Sequence, residues 1–251
     1  MTNGAEDKLL IARAEDTVNL CERQNCIKST GFLTPTEAEI IRRNLKRPSV
    51  ETTFYGGYPD AERRMFVALP DYLTAEDAAQ LLSVIEITGR DIGVLKHPDF
   101  LGSLLGLGIK REKLGDILTF DDKCLVFVDE NIADYIVKNL DKVGNKGVKV
   151  RCVQPDGVEI PPPRMEEISA TVPALRLDAV VASAIRTSRT AATEVLSAGR
   201  VFVNWIQEDN PAFKIKPGDV FSVRGYGRFR LGEDIRETKK GRLGICIYKM
   251  I

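Results

Sequence analysis

The sequence predicts an α+β fold in three parts: an N-terminal helical/β segment, a middle domain of ferredoxin-like (split βαβ) order, and a C-terminal domain that opens with two helices. Three observations carry this. Residues 80–153 spell the order β-α-β-β-α-β. Three consecutive prolines, Pro161, Pro162 and Pro163, break every periodicity and mark a semi-rigid linker. Beyond them, apolar residues recur first at helical and then at strand spacing. The expected boundaries are 1–75, 76–155, a Pro-rich linker at 156–170, and 171–251 with a basic extension. A chain of 251 residues is long enough for several modest cores.

In chain order, the first ~30 residues read as an amphipathic helix with Ile11, Ala14, Val18 and Cys21 on one stripe. "LTPTEAEIIRRNLKRP" marks a second helix: Thr34 as N-cap, Pro35 at the first position, Glu37 completing a capping box, and Pro48 closing the end. "VETTFYGG" and "RRMFVALP" are short strands. In the middle domain "LLSVIEITG", "GDILTF", "KCLVFVD" and "KGVKVRCV" are strands, while "PDFLGSLLGLG" and "NIADYIVKNL" are helices. Asp121 and Asp122 make a tight hairpin turn rather than a carboxylate dyad, because adjacent strand residues point to opposite faces. RNA-recognition folds share this order but stack bases on exposed aromatics. "KCLVFVD" offers only Phe127, so sheet-face RNA binding is not expected of this domain.

Net charge is zero overall, yet residues 164–251 hold 15 Lys and Arg against 10 Asp and Glu. The remainder is acidic by the same margin, so a polyanion contact is expected at the C-terminal end. No apolar run approaches the ~18–20 residues that span a bilayer, and "MTNGAEDKLL" lacks the regions of a signal peptide. Five scattered cysteines suggest a reducing cytoplasm rather than a disulfide framework, and no spacing matches a four-ligand zinc site. The single histidine, His97, rules out two-histidine phosphoesterases and "HExxH" centres. Ser103 and Asp99 lie near it in sequence, but no "GxSxG" elbow exists. "LGLG" does not follow a strand and reads as a helix stop rather than a dinucleotide loop. No catalytic residue, metal or cofactor is therefore assigned.

After the linker, Leu177, Val180, Val181, Ala184 and Ile185 form one helical face, leaving Arg176 and Asp178 off it at the helix start. Arg176 opposes the helix dipole there unless an anion accompanies it. Ser188 caps the next helix, with Arg189 and Thr190 in its first turn, and Gly199 ends it. Arg186, Arg189 and Arg200 thus sit at the joints. A phosphate at such a joint meets both free backbone N–H groups and a guanidinium fork. Arg189 lies off the apolar stripe, so charge reversal there is expected to spare the fold. In "YGRFRLG", Arg228 and Arg230 alternate with Phe229 and Leu231, giving a cationic and an apolar face. Lys239, Lys240 and Arg242 follow. Lys110, Arg111 and Lys113 form a second basic candidate, of which Arg111 is singled out, and His97 is a further candidate contact.

"RLDAVVASAI", "SRTAATEVLSAGRVFVN" and "KPGDVFSV" resemble, in order and spacing, the three blocks of the S4 (alpha-L) RNA-binding domain. The resemblance implies binding of structured RNA through Arg176, Ser188, Arg189, Thr190, Gly199, Arg200 and Asn204. Most S4 domains have glycine after the "VN"; Trp205 stands there, which implies a different loop in place of a tight Asn-Gly turn. "HPDFLGSLLGLGIKREKLGDI" looks like the signature of the YlmH family, which also ends in an S4 domain and has tryptophan after "VN". That resemblance implies a cytoplasmic RNA-binding protein of translation quality control, and, with no catalytic residue assigned, a non-enzymatic monomer is expected. It would bind rRNA of the stalled large ribosomal subunit and tRNA or peptidyl-tRNA, away from any membrane. Two other readings stay open: an RNA-modifying enzyme targeted by its S4 domain, and an adaptor linked to cell division.

Overall fold

The computed structural model describes residues 4–155, 158, 160, 165–238 and 241–250, arranged in two compact units, Met1–Ile160 and Pro161–Ile251. The first unit opens with α1 (Gly4–Gln24), which buries Ala14, Thr17, Val18 and Cys21. Ile11 is only half-buried, and the stripe is completed by Thr17, whose hydroxyl donates to the Arg13 carbonyl at 2.8 Å. That bond removes the cost of burying the hydroxyl. After β1 (Lys28–Leu33), α2 (Pro35–Asn44) carries the expected capping box. The Glu37 N–H donates to the Thr34 hydroxyl, and the Thr34 N–H donates to the Glu37 carboxylate at 2.6 Å. The helix stops at Asn44, ahead of Pro48, since Leu45 is already extended. β2 (Glu51–Tyr55) and β3 (Arg64–Leu69) complete a three-stranded antiparallel sheet in the order β1-β3-β2.

The βαββαβ order is present as β4 (Leu82–Thr88), α3 (His97–Gly106), β5 (Leu114–Thr119), β6 (Lys123–Asp129), α4 (Glu130–Asn139) and, after the two-residue pair β7 (Lys142–Val143) and β8 (Lys146–Gly147), β9 (Lys149–Val153). The strands pair antiparallel as β5-β6-β4-β9, the split-βαβ arrangement. The Phe120 N–H bonds to the Lys123 carbonyl at 2.8 Å, closing the turn at Asp121 and Asp122.

Both faces of this sheet are covered. Ile85, Ile87, Val126 and Val128 pack with Phe100 and Leu104 of α3 and Ala133 and Ile136 of α4. Val84, Leu125 and Phe127 pack on the other side with Phe32, Met65, Val67 and Leu69 of the N-terminal sheet. Residues 1–75 and 76–155, expected as separate parts, lie in one compact unit and pack against each other through these residues. Burial on both faces is why "CLVFV" is continuously apolar. A polar joint fixes the two sheets. The Asp116 carboxylate accepts from the Tyr58 hydroxyl at 2.7 Å and from the N–H groups of Glu62 (2.7 Å) and Arg63 (3.0 Å). The Arg63 guanidinium donates to the carbonyls of Leu114 and Phe32, each at 2.9 Å. Burial, and then the neighbouring Asp116 charge, push the Tyr58 pKa up, so this hydroxyl remains a donor.

In the second unit, β10 (Met165–Val172) pairs along its whole length with the last strand. Residues 165–170, expected in the linker, are therefore part of the domain; Pro161, Pro162 and Pro163 lie outside the described residues. α5 (Leu177–Ala184) and α6 (Arg189–Ser197) follow, then β11 (Val201–Val203), β12 (Ile206–Gln207), β13 (Val220–Val223), β14 (Gly227–Leu231), β15 (Arg236–Glu237) and β16 (Leu243–Met250). The sheet runs β10-β16-β14-β13-β11-β12, with β15 on β16. Leu177, Val180, Val181, Ala192 and Leu196 from the helices share one core with Val201, Val203, Phe221, Val223, Phe229 and Leu231 from the strands.

Phe127→Ala, which opens a cavity between the two sheets of the first unit, is expected to lower unfolding stability by about 3–5 kcal/mol in a denaturant titration. The folded protein's RNA affinity should not change, because Phe127 is 1% exposed.

Candidate nucleic-acid interface

The two helix starts of the second unit converge on one carboxylate. Arg176 is the N-cap of α5, and Asp178 lies in that helix's first turn with only 4% of its surface exposed. Asp178 Oδ1 accepts from Arg176 Nε at 3.2 Å and from the Ala179 N–H at 2.8 Å. Its Oδ2 accepts from Arg176 Nη2 at 3.3 Å and from Nη2 of Arg189, the first residue of α6, at 2.5 Å. Burial works against ionisation of this carboxyl, but hydrogen bonds from Arg176 and Arg189, together with their charges, outweigh it. Its pKa is lowered as a result. The side chains of Arg176 and Arg189 remain 41% and 51% exposed, so each guanidinium is anchored at one edge and open at another. Asp178 is thus the anion that Arg176 needs at a helix start. Charge reversal at Arg189, expected from sequence to spare the fold, would set a second carboxylate against a buried one.

Capping geometry places the remaining joints. The Ser188 hydroxyl accepts from the Ala191 N–H at 3.2 Å, with Thr190 exposed beside it. α5 ends in a Schellman closure: the Thr187 N–H bonds to the Ala182 carbonyl at 2.9 Å and the Arg186 N–H to the Ser183 carbonyl at 3.3 Å. This puts Arg186, at φ 54°, in the left-handed site that glycine usually fills. Gly199, at φ 66°, fills the same site after α6. Arg186 makes an exposed ion pair with Glu166 at 3.4 Å, a contact of little energetic weight.

Asn204 is committed to the fold: its amide donates to Asp219 Oδ1 at 2.8 Å and its oxygen accepts from the Val220 N–H at 3.1 Å. The expected departure at Trp205 does not occur. Val203 pairs with Ile206, and both intervening residues have positive φ (46° and 64°), so Asn204-Trp205 makes a two-residue turn of the primed kind. Arg200, Arg228 and Arg230 belong to the sheet's outward side; Arg200 also donates to the Arg224 carbonyl at 2.7 Å. The Arg242 guanidinium donates to the Thr171 carbonyl at 2.8 Å. Lys239 and Lys240 lie outside the described residues. His97 is exposed at the start of α3 in the first unit. Arg111 is held there by the carbonyls of Leu114 (2.6 Å) and Gly115 (3.3 Å), and burial lowers its pKa. Among the described residues no group of three or more His, Cys, Asp or Glu could hold a metal ion, and no helix is long and apolar enough to cross a membrane.

The lowered pKa of Asp178 makes stability pH-dependent with a definite sign. Its contribution is complete above the ordinary carboxylate value of about 3.9 and is lost as pH falls through the lower folded value. Asp178→Asn should therefore be less stable than wild type at neutral pH, and the gap should close below about pH 4 in thermal unfolding.

Two domain descriptions match the chain: "Putative RNA-binding domain in YlmH" over residues 76–156 and the S4 domain over residues 175–221. The Bacillus subtilis (strain 168) protein named "Ribosome-associated protein quality control protein P2" is 32% identical over 238 residues, covering 94% of this chain and 93% of its own. The solved structure of "Cell division protein ylmH from Streptococcus pneumoniae" superposes with a TM-score of 0.52 over 59% of this chain and 91% of its own. At 20% identity that likeness speaks for the fold alone. Identity of nearly a third along almost the full length of two chains, together with the two domain matches, makes this chain a member of the YlmH family.

Proposed function

We propose that this chain is a non-catalytic RNA-binding factor of ribosome-associated quality control. It grips rRNA of a stalled large subunit and its tRNA or peptidyl-tRNA, acting as a cytoplasmic monomer. The observation that carries this reading is the pair of half-exposed guanidinium groups held by buried Asp178 at two neighbouring helix starts. Guanidinium forks match phosphate oxygens in pairs. Apart from the Ala191 N–H, which Ser188 caps, the N–H groups of the first turn of α6 lie outside the helical ladder and favour an anion in the same place. Arg186 and exposed Thr190 extend the same patch around the inter-helix turn. The name of the B. subtilis relative supports the ribosomal setting. Residues 76–156 match the description "Putative RNA-binding domain in YlmH"; the inner strands β4 and β6 are covered on both faces, so contacts from that region fall to helix ends and loops, where His97 sits, and to the exposed edge strand β9.

Arg189→Gln keeps a donor for Asp178 while removing the charge, so the fold should survive. In co-sedimentation with tRNA-bearing large subunits, affinity should fall about tenfold, and the slope of log K against log salt should flatten by about one. Unchanged affinity and slope in a folded Arg189→Gln protein would contradict the assignment.

A further inference from the structure

We propose that the outward face of the C-terminal sheet, opposite its helices, is a second RNA site that takes unpaired nucleotides by stacking; this rests on the RNA-binding reading above. The alternation of β11, β13 and β14 sends Val201, Val203, Phe221, Val223, Phe229 and Leu231 into the core. Their neighbours Phe202, Ser222 and Arg228 are in register across the three strands on the other side, with Arg230 next along β14. Two aromatic–arginine pairs stand there. The Arg224 guanidinium lies 4.8 Å from the centre of the Phe202 ring, and that of Arg228 lies 5.8 Å from the centre of the Trp205 ring. Both rings are half-buried, so each contributes a surface without being part of the core.

Trp205 points most directly to a ligand. The hairpin forces it to φ 64°, a conformation glycine adopts freely and tryptophan does not. Core burial does not compensate for this, because Trp205 is not in the domain's buried cluster. Beside the Arg228 guanidinium, an aromatic held at this φ on a cationic face offers a ring on which a base can stack. Of the neighbouring carboxylates, Asp219 accepts from Asn204 and from the Lys216 N–H, while Glu166 and Glu167 stand on β10, separated from β14 by β16. Arginines alternating with stackable rings suit single-stranded RNA, whose bases are free to stack while its phosphates meet the guanidinium groups. A paired helix hides its base faces and would use the helix-start patch instead.

Trp205 is the chain's one tryptophan, so its fluorescence reports on this face alone. Titrating the full chain with an oligouridylate of about twelve nucleotides should quench that emission, and a fully paired RNA duplex should not. Trp205→Gly, which puts a residue suited to the positive φ there, should stay folded, bind the oligouridylate at least about fivefold more weakly by anisotropy, and keep its affinity for tRNA-bearing large subunits. Arg228→Gln should weaken the oligouridylate in the same direction. Equal quenching by the duplex, or an unchanged oligouridylate affinity in Trp205→Gly, overturns the proposal. If the oligouridylate fails to bind while large subunits still do, this site falls and the proposed function stands. If the oligouridylate binds and large subunits do not, the sheet-face site stands and the proposed function falls.

Discussion

The arrangement of the two helix starts in the second unit depends on one buried carboxylate. Taking Asp178 out of water costs several kcal/mol unless its charge is met, and here both oxygens are met by two guanidinium groups and a backbone N–H. The same carboxylate lets two arginines lie close together without mutual repulsion dominating. Summed over the three side chains, the cluster carries one positive charge, not two. In the proposed function, what Asp178 contributes is therefore position rather than charge: it fixes two guanidinium forks at the starts of two helices. Ordering flexible arginines in advance reduces the entropy lost on binding.

The rest of the second unit holds that arrangement in place. Capping decides where each helix begins and ends, so Ser188 sets where Arg189 emerges and the Schellman closure sets Arg186. The shared core of helices and sheet fixes α5 against α6. β10 pairs with β16 from end to end, so the domain's first and last strands close on each other. In the first unit the analogous constraint is Asp116, which ties Tyr58 and the backbone of Glu62 and Arg63 to β5 and so joins the N-terminal sheet to the middle one.

Much of this is legible in the sequence because local rules write it. The capping box at Thr34 and Glu37, the N-cap at Ser188, the C-cap glycine at 199 and the βαββαβ order all follow from residues a few positions apart. What escapes depends on distance in sequence. Asp178 meets Arg189 eleven residues away, and no periodicity records that contact. Phe127 is covered by strands about 60 residues upstream, so its burial looks in sequence like a spare aromatic. Asn204 fits the pattern of an RNA contact but is held by Asp219 and Val220 at the start of β13. Trp205 misleads because residue preference argues against a primed turn, whereas the pairing of Val203 with Ile206 imposes one. Phe202 and Arg224 give no sign beyond the alternation of their strands.

A positioning role for Asp178 is open to a direct test in which geometry and charge pull in opposite directions. Asp178→Asn removes a negative charge from the patch but turns one acceptor into a donor facing an arginine. Affinity for tRNA-bearing large subunits, measured at neutral pH on folded protein, should fall despite the more positive patch. Equal or tighter binding by Asp178→Asn would mean that net charge alone attracts the RNA, and would contradict a positioning role for this carboxylate.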